Sequence, residues 1–156
     1  MADLSDLKLR NAPGETLSNY SLIEQHAQAL EAMNNNIDSE YADKDTSTTT
    51  ASTSYEAMAN MTRTPAAGTY LVQFSTSVSN STNTTEVTCA LALAGTVVAA
   101  SARPVSTTAL GVKYGVPTCF AKITVNGTQA ITAQWKTSGG TATAYQRQMF
   151  LTRVGA

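Results

Sequence analysis

The sequence predicts an all-β sandwich, of the jelly-roll or a related type, preceded by an N-terminal helix. Three observations carry this prediction. Short runs of alternating apolar and polar residues recur between turn residues from about residue 55 to residue 154. The chain holds 25 threonines and 14 serines, and β-branched threonine favours strands. The first 45 residues lack this alternation and are strongly acidic.

The alternating runs define eight or so strands. Residues 69–78 place Tyr70 and Phe74 on one face and Gln73 on the other, which is typical of a half-buried strand. Gly95 is predicted to turn one hairpin. Asn126-Gly127 and Ser138-Gly139-Gly140 are predicted to join the last three strands as hairpins. The other predicted strands are 55–61, 87–93, 96–105, 119–125, 129–137 and 141–154.

Length and charge limit the organisation of the chain. The 156 residues have room for one domain with its own core and an appendage. Residues 1–45 carry nine acids and three bases, whereas the remainder carries two acids and seven scattered bases. Because phosphate binding needs a contiguous basic stripe, this pattern predicts no nucleic-acid partner. The two parts of the chain are expected to have different roles.

The first residues and the two cysteines indicate in which compartment the protein is expected. The first residues have no basic start and no apolar run, so we expect no signal peptide, and no stretch is apolar enough to cross a bilayer. Cys89 and Cys119 both fall at apolar strand positions. Two buried thiols are favoured over a disulfide, which stays open as the alternative.

The N-terminal part is predicted to contain an anchor peptide, residues 1–15, and a helix, residues 16–45. Leu4, Leu7 and Leu9 give the peptide an apolar side before Pro13-Gly14 ends it. The helix fits a heptad pattern typical of a trimeric coiled coil, although an amphipathic helix packed on its own domain is the alternative. Residues 46–54 are interpreted as a linker, and residues 46–156 as the head domain. The predicted seam residues are Tyr20, Ile23, Ala27, Leu30, Asn34, Ile37 and Tyr41.

Several segments of the head resemble the tumour-necrosis-factor-like, complement-type globular heads, particularly those of bacteriophage virions. They are 65–74, the hairpin around Gly95, 135–141 and 147–154, within a similarity that covers roughly residues 50–154. The resemblance implies a jelly roll that assembles as a homotrimer about a three-fold axis. It implies that Tyr70, Phe74 and Phe150 lie at the trimer interface, and that Met149 and Leu151 lie in the core.

Few residues are suited to catalysis or to holding a cofactor. His26 is the sole histidine and lies in the predicted helix. Glu56 and Glu86 are the two carboxylates of the head, and the spacing of the cysteines and histidine fits no zinc site. We expect no enzyme activity, no metal and no cofactor. Trp135 is expected in the core, with contact to a sugar as the alternative.

Together with this resemblance, these observations predict a structural bacteriophage protein at the virion surface, made in the host cytoplasm. It would be a trimeric capsid decoration protein or head fibre, held through its N-terminus by the major capsid protein or another virion protein. The alternative is a tail-fibre or receptor-binding head that recognises host surface polysaccharide through loop residues such as Lys113 and Lys136. No membrane partner is expected.

Overall fold

The computed structural model of the protein describes residues 26–27, 39–107 and 115–155. The chain divides into two units, Met1–Ile37 and Asp38–Ala156. All the strands described below belong to the second unit, which confirms the all-β prediction for the head. Ten strands form two five-stranded antiparallel sheets that enclose a core, as in a β-sandwich.

The strands divide equally between the two sheets. Sheet one consists of β1 (Ser39–Lys44), β2 (Thr48–Thr50), β4 (Gly68–Asn80), β8 (Thr118–Val125) and β10 (Ala142–Gly155). Sheet two consists of β3 (Glu56–Arg63), β5 (Thr85–Leu93), β6 (Thr96–Val97), β7 (Arg103–Thr107) and β9 (Ile131–Thr137). A short 3-10 helix, Ala99–Ser101, lies between β6 and β7.

The strand order places β10 at the centre of sheet one. The order is β1, β10, β4, β8, and β2 pairs with β10 beside β1. Sheet two has the order β3, β9, β5, and both β6 and β7 pair with β5. Every pairing is antiparallel, and β8 is an outer strand of sheet one.

The core forms because each strand turns its apolar residues toward the other sheet. In β4, Tyr70 and Phe74 are fully buried, whereas Leu71 and Gln73 between them are exposed. Full burial of one large apolar side chain is worth about 1.5–3 kcal/mol, so this alternation fixes which face of the strand points inward. The predicted core positions Cys89, Trp135, Met149 and Leu151 are confirmed as buried.

A bulge in β10 shifts the inward and outward alternation of that strand by one residue. Tyr145 pairs with Ser77 and Gln148 pairs with Ser75, so β10 contains one extra residue at this point. Gln146 has a φ of 48°, the left-handed conformation found in one class of bulge. The bulge directs the side chain of Arg147 into the molecule.

One predicted hairpin is confirmed. Strands β5 and β6 pair across Ala94 and Gly95, whose φ values are 47° and 84°. Two residues with positive φ are characteristic of the tight turn that matches the twist of a hairpin.

The two predicted hairpins at the end of the chain are wrong. Strands β8 and β10 belong to sheet one, whereas β9 belongs to sheet two, so each connection crosses between the sheets. As a result, the core receives Cys119 and Met149 from sheet one and Trp135 from sheet two. Gly140 is required at the second crossing, since its φ is 68° and an added Cβ would collide with Asn80 and Thr82.

The predicted boundary between helix, linker and head is also wrong. Tyr41 is a residue of β1 and pairs with Phe150, so it is not part of a helical seam. Residues 48–50 of the predicted linker form β2, in which Thr50 is buried. If residues 39–50 were not strands, the backbone groups on this side of β10 would lack the partners that β1 and β2 supply. His26 and Ala27 are helical and exposed. The other predicted anchor and seam residues lie outside the described residues: Leu4, Leu7, Leu9, Tyr20, Ile23, Leu30, Asn34 and Ile37.

Candidate functional site

The outer face of sheet one carries a row of exposed aromatic residues. Tyr41 pairs with Phe150, Phe150 pairs with Gln73, and Gln73 pairs with Phe120. These residues form one line across β1, β10, β4 and β8, and we call this line the aromatic row. The exposed fractions of Tyr41, Phe120 and Phe150 are 45%, 54% and 45%. The row therefore places three large rings in water on one face.

The sequence alone accounts for the direction of these side chains. The neighbours of Tyr41 and Phe120 in their strands, Ala42 and Cys119, are buried in the core. Because successive residues of a strand point to opposite faces, an aromatic residue next to a core residue must point outward. Phe150 points outward for the same reason, because its neighbours Met149 and Leu151 are buried.

Local contacts hold the row in place. The rings of Tyr41 and Phe150 lie with centroids 4.5 Å apart at an angle of 36°, and such pairs contribute about 0.5–1.5 kcal/mol. Arg63 donates from Nη2 to the backbone carbonyl of Tyr41 over 2.9 Å. Since Arg63 belongs to β3, this hydrogen bond attaches the β1 edge of the row to sheet two.

Further apolar residues extend the row into a patch. Leu71 lies on β4 in the next outward position after Gln73, and 52% of it is exposed. Val154 is also 49% exposed, but it lies four residues beyond Phe150 at a register shift of β10 and is not contiguous with the row. A single exposed apolar residue is ordinary, but a contiguous group on one sheet face is typical of an interaction surface.

Charged side chains lie at opposite edges of this face. Asp43 extends from β1 and Lys122 extends from β8, and both are exposed. Partial desolvation raises the pKa of the Tyr41 phenol, and the carboxylates of Asp43 and Asp45 raise it further. Strand β1 also carries the exposed Lys44, and Lys122 is the charged residue of β8. Asp43 lies level with Thr118 of β8, whereas Lys122 lies level with Ser39 of β1, so the two charges are at different heights on the face.

Of the three residues expected at a trimer interface, two are buried in the core and one is exposed. Tyr70 and Phe74 are completely buried in a single chain, so the expectation that they contact a neighbouring subunit is wrong. The phenol of Tyr70 donates to the carbonyl of Ala66 within the same chain over 3.1 Å. Phe150 is exposed, and its contact with a neighbour stays a prediction.

The sequence reasoning missed Leu71 and Phe120 as surface residues. Both are large apolar residues at positions whose strand neighbours are in the core. The signal was present, because such a residue falls on the polar side of an alternating strand. The heptad pattern predicts Tyr41 in a helical seam and therefore hides its place on the sheet.

The arginines of the described region are bound to backbone carbonyls. Arg147 is buried and donates to the carbonyls of Ala59 and Thr46 over 2.7 and 2.6 Å. Its Nε has no hydrogen-bond partner, and burial lowers the pKa of its guanidinium. Arg63, Arg103 and Arg153 also donate to carbonyls. These four side chains serve the fold and are not arranged as a site for an anion.

A shallow groove lies beside the bulge of β10. Its volume is about 500 Å³, and the described residues that line it are Asp45, Ser77, Tyr145 and Gln146. One carboxylate and three neutral side chains can offer hydrogen bonds to a polar ligand. Among the described residues, no group of three or more His, Cys, Asp or Glu is placed to hold a metal ion.

The residues considered for sugar contact have other roles. Trp135 is 1% exposed and belongs to the core, so it cannot stack on a sugar. The ammonium of Lys136 lies 4.8 Å from the centre of the Tyr55 ring, a favourable cation–π distance. Lys113 lies outside the described residues. Glu86 accepts a hydrogen bond from Thr88 over 2.9 Å.

Cys89 and Cys119 are free and buried, as the favoured reading of the sequence predicts. Burial raises the pKa of both thiols, and that of Cys119 reaches about 11. Only about a thousandth of Cys119 would be thiolate at pH 8, and the thiolate is the reactive form.

We expect neither cysteine to react with Ellman's reagent at pH 8 while the protein is folded. Both should react within minutes in concentrated guanidinium chloride, because unfolding removes burial and restores ordinary thiol pKa values. The measurement is the absorbance of the released thiol, with glutathione as the reference. Fast reaction of the folded protein would mean that the two sheets separate readily.

Comparisons with known proteins were made on the sequence and on the fold. No protein-family model matches the chain, and no curated protein matches it in sequence. The fold is similar to part of the crystal structure of dimeric latent PorU from Porphyromonas gingivalis, with a TM-score of 0.40 and 15% identity. The match covers 72% of this chain and 13% of that chain, so this chain spans a small part of the PorU length. Within the described residues, no helix has the length and apolar character needed to span a membrane.

Proposed function

We propose that the protein is a structural component of a bacteriophage particle, a homotrimeric capsid decoration protein or head fibre without enzymatic activity. The observation that carries the proposal is the aromatic row on the outer face of sheet one. The head would associate with two further copies through this face. The N-terminal segment would attach the trimer to the major capsid protein or to another virion protein.

The strand order supports the jelly-roll part of the proposal. Strands β3, β4 and β5 alternate between the two sheets, and so do β8, β9 and β10. Repeated crossing between two antiparallel sheets is the arrangement of double-sheet jelly rolls. The sequence resemblance of residues 50–154 to phage-borne globular heads adds the trimer and the virion location.

The chemistry of the face supports association with protein. Burial of exposed rings such as Phe120 and Phe150 is favourable by about 25 cal/mol per Å² of apolar area. Aromatic residues at the centre of a contact are commonly the residues that dominate its affinity.

The first test is the mass of the purified protein at micromolar concentration. We expect light scattering after size exclusion to give three times 16.4 kDa, about 49 kDa. Sedimentation velocity should give a single species of the same mass. A species of 16.4 kDa under these conditions would remove the basis of the proposal.

A second prediction concerns attachment to the particle. Deletion of residues 1–15 should abolish binding to phage capsids that lack this protein and should leave the mass of the trimer unchanged. The reason is that Leu4, Leu7 and Leu9 form the apolar side of the predicted anchor. Co-sedimentation with capsids measures the binding, and Leu7→Asp is a single-residue version of the deletion. Capsid binding that survives both changes would contradict the anchor.

The groove beside the β10 bulge favours a second candidate, a receptor-binding head for host polysaccharide. Hydroxyl-rich ligands suit the hydrogen-bonding groups of Ser77, Tyr145 and Gln146. This candidate requires a tail location on the particle and measurable glycan binding. Loss of glycan binding in Gln146→Ala, with no effect of Thr96→Ala on the outer strand β6, would favour it over a decoration protein.

A further inference from the structure

The dipeptide Asn126-Gly127 does not form the hairpin that its sequence predicts. It lies in the connection between β8 and β9, which crosses from sheet one to sheet two. Gly127 has a φ of 89°, but Asn126 lacks the positive φ that a type I′ turn requires at both central residues. It is the one Asn-Gly pair in the sequence, and its asparagine is exposed. The loop therefore has another conformation, in which the asparagine side chain takes part.

The side-chain oxygen of Asn126 accepts two hydrogen bonds from Thr128. The backbone N–H of Thr128 donates to Oδ1 over 3.0 Å, and its hydroxyl donates to the same atom over 2.9 Å. The backbone N–H of Asn126 donates to Oε1 of Gln129 over 3.3 Å within the same loop. Because a backbone N–H can only donate, the amide must present its oxygen to Thr128. The NH2 group of this amide has no hydrogen-bond partner among the residues that the structure describes.

This turn favours attack on the Asn126 side chain by the next backbone nitrogen. The hydrogen bond from the N–H of Thr128 closes a ring that contains both Cγ of Asn126 and the nitrogen of Gly127. Gly127 has no side chain to shield its nitrogen, which makes no hydrogen bond within the described part of the chain. The attack would place negative charge on Oδ1, the atom that both donors of Thr128 contact. Donors already positioned at a developing oxyanion lower the barrier of such a step.

We propose that Asn126 is a site of spontaneous deamidation and isomerisation, promoted by the hydroxyl and the N–H of Thr128. The nitrogen of Gly127 loses its proton to hydroxide and forms a bond to Cγ of Asn126. The bond from Cγ to Nδ2 then breaks, and Nδ2 takes a proton from water and leaves as ammonia. The product is a cyclic imide. Water opens this imide at either carbonyl and gives aspartate or isoaspartate, so water is the sole co-reactant.

Two other asparagines of the head lack this arrangement. Asn80 is 4% exposed, and its NH2 group donates to Oγ1 of Thr137 over 2.8 Å, which holds the leaving group in place. Asn83 is exposed, but it is followed by Thr84, whose branched side chain shields the attacking nitrogen. Asn126 is therefore expected to react first, and the other two asparagines serve as controls within the same molecule.

The modification would change the loop in charge and in length. Either product carries a negative charge at neutral pH, where asparagine carries none. Isoaspartate also adds a carbon atom to the main chain. The loop has little room for it, since a Cβ added to Gly127 would lie 3.1 Å from the backbone nitrogen of Ala67. The carbonyl of Ala67 accepts a hydrogen bond from Arg153 over 2.7 Å. The modification therefore alters the contact between this loop and the segment that leads into β4.

The first test is a time course of the purified full-length protein at pH 8. Peptide mapping by mass spectrometry measures the replacement of NH2 by OH at each asparagine, and isoaspartyl methyltransferase measures isoaspartate. Asn126 should be modified at least about tenfold faster than Asn80 and Asn83. Its rate should rise with pH, because the attacking nitrogen must lose a proton. Equal rates at the three asparagines, or an unmodified Asn126, would overturn the proposal.

Substitutions at Thr128 test the part that the turn plays. Thr128→Val removes the hydroxyl and keeps the branched shape, so the rate at Asn126 should fall about three- to tenfold. Thr128→Ser keeps the hydroxyl and should keep the rate. Thr128 is exposed, and circular dichroism checks that each variant is folded.

The unfolded proteins provide the last control. In concentrated guanidinium chloride the turn is absent, so both variants and the unchanged protein should deamidate at the same rate. An unchanged rate in folded Thr128→Val, or an equal fall in the unfolded variant, would overturn the role of Thr128. The proposal does not depend on the homotrimer, and a monomeric protein would leave it intact.

Discussion

Replacement of Phe150 by aspartate is expected to convert the proposed trimer into a folded monomer. Phe150 lies in the middle of the aromatic row, 45% exposed and in contact with the ring of Tyr41. Loss of a central aromatic side chain typically costs about 2 kcal/mol or more of binding free energy per interface. The new carboxylate would also lose its water on association. Over three interfaces the dissociation constant should rise by roughly four orders of magnitude.

The measurement is the mass by light scattering at a series of concentrations, with near-ultraviolet circular dichroism to confirm the fold. Ala57→Asp is the matched control, because Ala57 is an exposed strand residue on β3 of sheet two. The control should remain a trimer. If Phe150→Asp kept the mass of the unchanged protein, the outer face of sheet one would not be the subunit interface.

Replacement of Arg147 by alanine is expected to lower the free energy of unfolding by about 4 kcal/mol. The change removes the hydrogen bonds to the carbonyls of Ala59 and Thr46 and leaves both acceptors without their partner, at about 1–3 kcal/mol each. It also leaves a cavity where the buried stem of the side chain lies. A domain of this size has a total stability of only about 5–15 kcal/mol.

Two further variants separate these contributions. Arg103→Ala is the matched control, since Arg103 also donates to two carbonyls, those of Ala100 and Ala102, but at the surface. It should cost less than about 1 kcal/mol. Arg147→Met should cost less than Arg147→Ala, because methionine fills the cavity and avoids the burial of a charge.

Urea unfolding measures these effects, and it is best done in the Phe150→Asp background so that association does not add to stability. Equal losses for Arg147→Ala and Arg103→Ala would show that the buried guanidinium contributes little to the fold.

The sequence is informative wherever a strand alternates clearly. In β4 the buried Tyr70 and Phe74 and the exposed Gln73 are as the alternation predicts, and so is the tight turn at Gly95. These features depend on neighbours in the chain. Local geometry and burial are therefore sufficient to determine them.

The partners of the strands could not be predicted in the same way. Alternation says that Cys119 and Trp135 point into a core, but it does not say that β8 and β9 belong to different sheets. Tyr41 was assigned to a helix because it continues a spacing of seven, and its partner Phe150 lies far away in the sequence. The outward position of Phe120 was available from its strand neighbours, whereas the row that it completes depends on the pairing of four strands.

The central position of β10 determines when the proposed assembly surface comes into existence. Sheet one needs β10 between β1 and β4, so its first two strands must wait until residues 142–155 have been synthesised. Tyr41 and Phe150 then meet for the first time. A nascent or partly unfolded chain cannot present the aromatic row, and only chains that have completed their fold could be incorporated into the proposed trimer. Long-range pairing of this kind slows folding, and here it makes subunit recognition a test of completed folding.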